Sequence, residues 1–512
     1  MPEPQHLDVL IVGAGISGIG TACHLRRQCP ERSFVLLENR DDFGGTWDLF
    51  RYPGIRSDSD MHTLGYSFKP WKAAKAIADG PSIKSYLAET IEENGLAEHI
   101  RYRHQVLRAT WSSETSRWTV EAQRRDAGHP EQVEPVTLTC GFLSMCSGYY
   151  SYEQGYTPEL PGLERFAGPV IHPQKWPEDL DYRGKRVVVI GSGATAMTLV
   201  PAMAAEVGHI TLLQRSPTYV ISWPDVDRIA NFLRKILPER AAYALTRWKN
   251  IAFQQRLYGQ TRTQPEKVRK KLLDLTRKGL PPGYDVERHF TPRYNPWDQR
   301  LCLIPNDDLY EAIKSGKASM ATDQIESITE TGIRLRSGDE LEADILITAT
   351  GLQMVVLGEV DFVVDGQPID FSKTWSYKGL MYSDVPNLIS TFGYINASWT
   401  LRADLTAEYL CRLLDHLEET GTTQCTPRLR ASDSDMPERF WIDDFSSGYM
   451  QRRLHLYPRQ GDREPWLNPQ NYKADRKMLR EAPIEDGCLG FTGARTAVAQ
   501  EAEPERMLEA VG

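Results

Sequence analysis

The sequence lacks the features that mark membrane-embedded, secreted or nucleic-acid-binding proteins. Its 512 residues contain no run of about 18 uninterrupted apolar residues, so no transmembrane helix is expected. The N-terminal stretch MPEPQHLDVLIVGAG enters a predicted strand at once, without the charged and then apolar pattern of a signal peptide. The net charge is −9, and basic residues are interspersed with acidic ones. We therefore expect a cytoplasmic protein without a nucleic-acid partner.

The eight cysteines also lack a pattern, because no C-x-x-C pair occurs among them. A chain of this length needs no disulfide scaffold, so reduced and mostly buried thiols are expected. The same length exceeds what one hydrophobic core supports, which predicts two or more domains. Nothing in the sequence indicates the oligomeric state.

Two segments share the order strand, glycine-rich turn, helix, strand. They are LDVLIVGAGISGIGTACHL followed by SFVLLE, and KRVVVIGSGATAMTLVPAM followed by ITLLQRS. This order predicts an α/β fold with two Rossmann-like dinucleotide-binding domains. Between residues 225 and 292 the chain is rich in Arg, Lys, Leu and Ala at helical spacing, which predicts a helical insertion in the second domain.

The first turn, GAGISG, carries the glycines that a bound pyrophosphate requires. Gly13 permits the tight turn, Gly15 lets the backbone approach the phosphates, and Gly18 allows helix and strand to pack closely. Ser17 lies in the same turn. Glu38 ends the second strand, where a carboxylate accepts hydrogen bonds from a ribose.

The second turn, GSGATA, uses Gly191 and Gly193, while Ala196 takes the third glycine's place. Ser192 and Thr195 complete this turn. Its second strand ends in Arg215 and Ser216 instead of a carboxylate, and a guanidinium there favours the 2′-phosphate of NADP. The alternative is that Arg215 is only a surface residue.

An acidic and an arginine-ended dinucleotide fold in one chain indicate FAD and NADPH as cofactors. The region GGTWDLFRYPGIRSDSD after the first fold holds no redox-active cysteine pair. Molecular oxygen is then the expected electron acceptor. The expected domains are FAD-binding (1–149 and 352–490), NADP-binding (150–222 and 296–351), a helical insertion (223–295) and a mobile tail (491–512).

The stretch FAGPVIHPQKWP fits the pattern F-x-G-x-x-x-H-x-x-x-W-P through Phe166, Gly168, His172, Trp176 and Pro177. In this the sequence resembles type I Baeyer–Villiger monooxygenases, which are class B flavoprotein monooxygenases. The related amine and sulfide monooxygenases carry a similar motif ending in Tyr. The stretches GGTWDLFRYPGIRSDSDM and NPWDQRLCLIPNDDLY are also similar to this family, in particular its ethionamide-activating type. The resemblance runs from about residue 7 to about residue 472.

The resemblance implies conversion of aliphatic or simple aryl ketones to esters or lactones, with NADPH and O2 and through a peroxyflavin. A side activity as S-oxygenase is compatible with it. The first alternative is a flavin-containing monooxygenase that acts mainly on sulfur or nitrogen nucleophiles, such as thioethers and thioamides. The second is a nucleotide-binding redox sensor without turnover.

The resemblance also implies roles for individual residues. Arg300 matches the family's catalytic arginine, and Asp58 matches the carboxylate beside it. Asp60 is instead expected to cap a helix. The implied cofactor contacts are Arg56 and Ser57 on the nicotinamide side, Thr46, Trp47, Asp48 and Leu49 on the flavin, and Val106 at the adenine.

Two further expectations concern the linker and a late loop. The resemblance places FAGPVIHPQKWP between the two nucleotide domains, so His172 and Trp176 are expected to act as hinge elements rather than in the chemistry. Trp466, in EPWLNPQNY, is a candidate contact to NADP or substrate from a mobile loop.

Overall fold

The structure is a computed structural model that describes residues 3–493. Its strands are β1 Gln5–Val12, β2 Phe34–Leu37, β3 Ile100–Arg101, β4 His104–Ser112, β5 Arg117–Arg125, β6 Val133–Met145, β7 Val170–Ile171, β8 Arg186–Ile190, β9 His209–Gln214, β10 Val220–Trp223, β11 Cys302–Pro305, β12 Ala318–Thr322, β13 Ile325–Ile328, β14 Gly332–Leu335, β15 Glu340–Glu342, β16 Ile345–Thr348, β17 Asp361–Val364, β18 Gln367–Pro368, β19 Ser376–Tyr377, β20 Met381–Tyr382, β21 Leu388–Ser390, β22 Gln424–Pro427, β23 Arg439–Phe440, β24 Arg459–Gln460 and β25 Leu489–Thr492.

The helices lie between these strands along the chain. They are α1 Ile16–Gln28, α2 Thr46–Leu49, α3 Met61–Leu64, α4 Gly80–Glu93, α5 Ala194–Met203, α6 Arg228–Ile236, α7 Glu239–Thr263, α8 Pro265–Gly279, α9 Val286–Phe290, α10 Asp308–Lys314, α11 Trp399–Glu419, α12 Gly448–Gln451 and α13 Tyr472–Arg476. In the part of the chain that the structure describes, no helix is both long and apolar enough to cross a bilayer.

The first sheet has nine strands within residues 3–493 and runs β18-β17-β4-β5-β6-β1-β2-β3, with β21 also paired to β6. Strand β1 lies parallel to β2 and β6. Its apolar residues are buried, as expected of a central parallel strand covered on both faces. Helices α1 and α11 pack on this sheet, and α11 agrees with the helix expected from the apolar spacing of LRADLTAEYLCRLLDHLEE.

The second sheet has five strands within the described residues, in the order β12-β9-β8-β16-β7, and its pairs are parallel. Its strand β8 leads into the second glycine-rich turn, as β1 of the first sheet leads into the first glycine-rich turn. The parallel strands around β1 in the mixed first sheet and the fully parallel second sheet confirm the expected fold class, two dinucleotide-binding α/β units in one chain.

Two crossover segments connect the sheets and pair with each other. The backbone N–H of Ser151 donates to the carbonyl of Gln353 at 2.8 Å, and that of Tyr156 donates to Gly351 at 2.9 Å. The chain thus leaves the first sheet after β6 and returns after β16 along one two-stranded path. Such a narrow double connection is the ordinary form of an interdomain hinge.

Helices α6 to α9 form the segment between β10 and β11. Helix α7 reaches the first unit through Asp60, which accepts hydrogen bonds from Asn250 at 2.8 Å and from Gln254 at 3.0 Å. Asp60 also accepts from the backbone N–H of Thr63 and caps α3, as expected. The helical segment is therefore tied to the first glycine-rich unit as well as to the second.

Two expectations need adjustment. Val170 and Ile171 of the FAGPVIHPQKWP stretch form β7, an edge strand of the second sheet, so only part of this stretch is linker. The expected tail at 491–512 begins inside β25, which pairs with β22, and the remainder from 494 lies outside the described residues. The eight cysteines all lie within residues 3–493 and are free and buried, which confirms the expectation of reduced thiols.

Candidate functional site

Arg300 lines two cavities, and the larger of them lies at the carboxyl ends of the first sheet's parallel strands. Its volume is about 720 Å³. Its walls come from two parts of the first unit, within residues 12–153 and 355–449, and from the start of α5. This is the edge of an open α/β sheet at which nucleotides bind. Lining side chains from distant parts of the chain include Ser17, Val106, Arg300 and Trp399.

The first glycine-rich turn forms a cradle that side chains would fill. Gly13 has a φ of +104°, and a Cβ there would lie 2.5 Å from the carbonyl oxygen of Cys146. A Cβ on Gly18 would collide with the carbonyl of Gly13, which confirms the close helix–strand packing argued from sequence. Gly45, with a φ of +55°, faces Gly15 across the cavity floor, so two backbones approach without side chains between them. The cradle therefore fits a pyrophosphate at the start of α1.

Glu38 follows β2 directly and lines the same cavity. Its carboxylate accepts hydrogen bonds from the backbone N–H groups of Ala14 at 2.8 Å and Arg40 at 2.9 Å. Burial raises the pKa of Glu38, and these two bonds oppose that shift. The carboxylate is thus fixed at the end of the strand, beside the position that a ribose would take.

The stretch Thr46–Leu49 divides into two pairs. Thr46 and Trp47 line the cavity, whereas Asp48 and Leu49 are absent from its lining. The buried carboxylate of Asp48 instead binds Lys84 at 2.5 Å and Arg40 at 2.6 Å. Burial acts to raise the pKa of Asp48, but these two cations outweigh it and hold that pKa below its ordinary value.

The second glycine-rich turn repeats the first in geometry. Gly191 has a φ of +136°, and a Cβ there would lie 2.2 Å from the carbonyl oxygen of Ala349, while Gly193 faces open space. Arg215 is exposed at the end of β9 and has no ion-pair or hydrogen-bond partner among residues 3–493. Ser192 donates to the carbonyl of Ser216 at 3.3 Å. A free guanidinium beside this turn suits a 2′-phosphate.

Arg56 and Ser57 lie between the two turns and line the cavity. Arg56 donates through Nη1 to Asp308 at 2.7 Å, while its buried Nη2 has no partner in the described part of the chain. An unpaired buried donor costs free energy unless a ligand satisfies it. This orphaned N–H therefore points to an oxygen-bearing ligand group at the junction of the two units.

Arg300 and Asp58 meet across 242 positions of sequence. Arg300 donates through Nη2 to Asp58 at 3.2 Å and through Nη1 to the carbonyl of Ile395 at 3.2 Å. Burial alone would lower the pKa of Arg300, but the charge of Asp58 raises it above its ordinary value, and three tyrosines lie nearby. The guanidinium is a fixed, permanent cation on the cavity wall.

Those three tyrosines, Tyr149, Tyr150 and Tyr449, were not recognised from sequence. Tyr150 donates to the hydroxyl of Tyr149 at 2.6 Å, and the Tyr149 ring stacks on Trp399 with centroids 5.1 Å apart. Burial raises the pKa of both Tyr149 and Tyr150, so their hydroxyls stay neutral. The only sequence signal was the pair of tyrosines at the end of CGFLSMCSGYY. That pair does not indicate that the side chains lie beside Arg300, which is distant in sequence.

A second cavity of about 670 Å³ shares Asp58 and Arg300 with the first. Most of its other lining residues are apolar. They come from the segment before α4, from β10 and the residues after it, from α7, and from β11 and the loop before it, namely Ile77, Ile221, Trp223, Val226, Phe253, Leu257, Trp297, Leu301 and Leu303. Its size and apolar lining are those of a small-molecule site. The Arg300–Asp58 pair thus stands at the boundary between a nucleotide-sized cavity and an apolar one.

The FAGPVIHPQKWP residues lie away from both cavities. His172 accepts at Nδ1 from the backbone N–H of Gln174 at 3.2 Å and makes a 3.1 Å bond from Nε2 to the carbonyl of Gly351. The first bond requires Nδ1 to be unprotonated, so Nε2 carries the proton that Gly351 accepts. His172 therefore joins β7 to the returning crossover segment. Trp176 packs against the core of the second unit, with its ring near Tyr182.

The expectation for Trp466 is wrong. Its side chain is fully buried in the core of the first unit, and its Nε1 donates to Asp433 at 3.1 Å. It lines neither cavity. The sequence EPWLNPQNY reads as a loop, but the indole anchors that loop instead of projecting from it.

Two family models match the chain. Residues 11–79 match the NAD(P)-binding Rossmann-like domain, and residues 71–278 match the flavin-binding monooxygenase-like family. The two matches overlap at residues 71–79, and Asp58 lies within the first of them. They are consistent with a nucleotide cradle followed by monooxygenase elements.

Relatives that align over nearly the whole chain extend the similarity beyond residue 278. The chain is 51% identical to the FAD-containing monooxygenase EthA of Mycolicibacterium smegmatis, over 97% of this chain and 99% of that protein. It is 48% identical to the probable FAD-binding monooxygenase AlmA of Acinetobacter baylyi, over 98% and 99%. Among solved structures, an oxidized steroid monooxygenase bound to NADP shares the fold, with a TM-score of 0.74 at 22% identity over 95% of this chain and 99% of that one.

Proposed function

Because the chain belongs to the FAD-containing monooxygenases, we propose that it is a Baeyer–Villiger enzyme which uses NADPH and O2 to convert ketones to esters or lactones. The observation that carries this proposal is the Arg300–Asp58 pair at the boundary of the two cavities. The FAGPVIHPQKWP stretch, which ends in Trp and Pro where related amine and sulfide monooxygenases have Tyr, supports the same assignment.

We assign one nucleotide to each of the two glycine-rich turns. FAD lies in the larger cavity on the first glycine-rich turn, with its ribose at Glu38 and its ring system near Thr46 and Trp47. NADPH lies on the second turn with its 2′-phosphate at Arg215. In this proposal residues 3–149 and 352–490 form the FAD domain, and residues 150–222 and 296–351 form the NADP domain.

When bound and reduced, FAD supplies the electrons and the activation of O2 that the reaction needs. The protein's part is electrostatic. Negative charge grows on oxygen during attack on a carbonyl, and Arg300 offers a fixed cation that needs no reorganisation. Asp58 and the Ile395 carbonyl hold the guanidinium in one orientation. The neutral Tyr149 and Tyr150 lie beside Arg300 and keep the cavity wall polar without adding charge.

The second cavity is the proposed ketone site. Its apolar walls suit aliphatic and simple aryl ketones, and its polar end is the Arg300–Asp58 pair. A carbonyl directed at that end would place the reacting carbon at the boundary with the flavin cavity. Substrate orientation then follows from the Arg300–Asp58 pair at the flavin end, while the apolar walls hold the rest of the molecule.

The test is product analysis with the FAD-loaded enzyme, NADPH and 18O2. Linear, cyclic and aryl ketones are supplied in parallel with a thioether. We expect esters or lactones that contain one labelled oxygen. Sulfoxide without any ester would assign the chain to oxidation of sulfur nucleophiles. NADPH consumption that ketones do not stimulate, with no product of either kind, would point to a sensor instead.

A further inference from the structure

Helix α6 has its apolar side turned to solvent. Ile229, Phe232 and Ile236 follow the i, i+3, i+7 spacing of one helix face, yet more than half of each side chain is exposed. The polar side faces the protein. Asn231 donates to the carbonyl of Ala74 at 3.2 Å, and Arg234 donates to the carbonyls of Lys72 and Ala73. An amphipathic helix on a soluble surface has the opposite orientation.

Helix α7 extends this surface. Leu245 and Trp248 are exposed by 43% and 68% and share one helix face with Ala241, Ala244 and Ala252. We define the outer apolar face as Ile229, Phe232, Ile236, Leu245 and Trp248. In the described part of the chain, seven of the fourteen exposed large apolar side chains fall between Trp223 and Phe253. Such a concentration marks an interaction surface, since single exposed apolar residues are otherwise scattered.

The outer apolar face is surrounded by net positive charge, whereas the net charge of the whole chain is negative. The chain carries −9 overall, but residues 223–256 contain seven basic and three acidic side chains. Arg228, Lys235, Arg240 and Arg256 are exposed and have no ion-pair partner among residues 3–493. Unpaired cations around apolar and indole groups are the composition of helices that lie in the interface of an anionic bilayer.

The second cavity opens beside this face. Trp223, Ile229 and Phe253 line the cavity and are also exposed, and the Trp223 and Phe253 rings lie 5.2 Å apart. Ile229 belongs to both the cavity lining and the outer apolar face. A surface in contact with the face would therefore cover the cavity mouth.

We propose that the outer apolar face docks on anionic phospholipid bilayers, so that the second cavity opens toward the lipid surface. A second copy of the chain or another protein would match the apolar residues equally well. The ring of unpaired cations favours lipid, because like-charged copies of this face would repel each other. The docking does not depend on the reaction proposed above, and its test measures binding alone.

The experiment is flotation of the FAD-loaded enzyme with vesicles of phosphatidylglycerol and phosphatidylcholine, against vesicles of phosphatidylcholine only. We expect flotation with the anionic vesicles, weaker binding at high salt, and little with the neutral ones. The variant Phe232→Ser/Ile236→Ser should reduce the partition coefficient on the order of tenfold or more. The variant Arg228→Ser/Lys235→Ser should reduce it by several-fold and flatten the salt dependence.

The matched control is Val133→Ser/Phe440→Ser, which replaces exposed apolar side chains elsewhere and should float as the parent does. Thermal unfolding of each variant checks folding, and these exposed sites should cost little stability. The proposal would be overturned if the parent did not float with anionic vesicles, or if the Phe232→Ser/Ile236→Ser variant floated as well as the parent. Concentration-dependent dimerisation that this variant abolishes, without lipid binding, would assign the face to a second copy and also overturn it.

Discussion

Arg300 is held at two points, the carboxylate of Asp58 and the carbonyl of Ile395. Both contacts fix direction, and neither removes the charge. A lysine would keep the charge but would lose the planar fork that reaches both acceptors. In the proposed mechanism, the position of the guanidinium therefore matters as much as its presence.

The first prediction concerns Arg300→Ala. It should retain FAD, because the glycine cradle and Glu38 are untouched, yet lose about 100- to 1,000-fold in ester formation, since one preorganised donor in a site of this kind contributes that much. FAD content by absorbance and ester by gas chromatography measure the two effects. Arg277→Ala, an exposed arginine paired with Asp274 and Glu287, is the control. Ketone turnover near the parent level in Arg300→Ala would refute the role.

A second prediction at the residue scale concerns Arg215→Ala. Removing the free guanidinium should raise KM for NADPH by about tenfold or more and leave KM for NADH nearly unchanged, because only NADPH carries the 2′-phosphate. Steady-state NADPH and NADH oxidation measures this. Arg183→Ala, exposed on the same unit and close to Glu206, should change neither constant. Equal increases for both nucleotides in Arg215→Ala would exclude the phosphate contact.

At the scale of elements, α7 is tied to the first glycine-rich unit by a small polar cluster. Asp60 caps α3 and also accepts the amides of Asn250 and Gln254 from α7. Arg247 adds three bonds to backbone carbonyls next to α3. The helical segment thus holds the wall of the second cavity against the unit that carries Asp58.

The third prediction separates the cap of α3 from this tie. Asp60→Ala should lower the free energy of unfolding by about 2–3 kcal/mol, of which roughly 1 kcal/mol is the lost cap and the rest the lost amide bonds. Asp79→Ala is the matched control, since Asp79 caps α4 through Ser82 and has no such contact to α7. Urea unfolding of Asp60→Ala, Gln254→Ala and the double variant gives the coupling energy. Additive effects would show that the Asp60–Gln254 contact contributes nothing.

Over the whole molecule, local sequence patterns predicted local structure well, but they did not predict which distant residues meet. Both glycine-rich turns, their strands and α11 follow from short-range spacing, as does the cap at Asp60. Arg300 and Asp58 became candidates only through resemblance, because their meeting depends on two sheets and a 242-residue separation. Tyr149, Tyr150 and Tyr449 had no local signal for the same reason. Trp466 was misjudged, since a loop sequence does not reveal which of its side chains is buried.

The fourth prediction concerns acid stability, which depends on histidines across the fold. Burial lowers the pKa of His6, His62, His104, His172 and His289 from the ordinary value of 6.5. The folded state therefore favours the neutral rings, and below pH 6.5 the unfolded chain binds more protons than the folded one. This contribution to stability is complete above the unfolded pKa and is lost as the pH falls from 6.5 toward each folded pKa.

His172 makes this effect testable in one side chain, because protonation of Nδ1 would set an N–H against the backbone N–H of Gln174 and break that bond, while Nε2 still donates to Gly351. The parent should lose Tm between about pH 7 and about pH 5.5, the interval in which histidines of the unfolded chain take up protons. His172→Gln should start from a lower Tm at neutral pH and lose less of it over the same interval. His129→Gln, at an exposed position, should follow the parent. If His172→Gln declined as steeply as the parent, the ring at 172 would take no part in the acid-side loss, and that loss would have to come from the other four histidines.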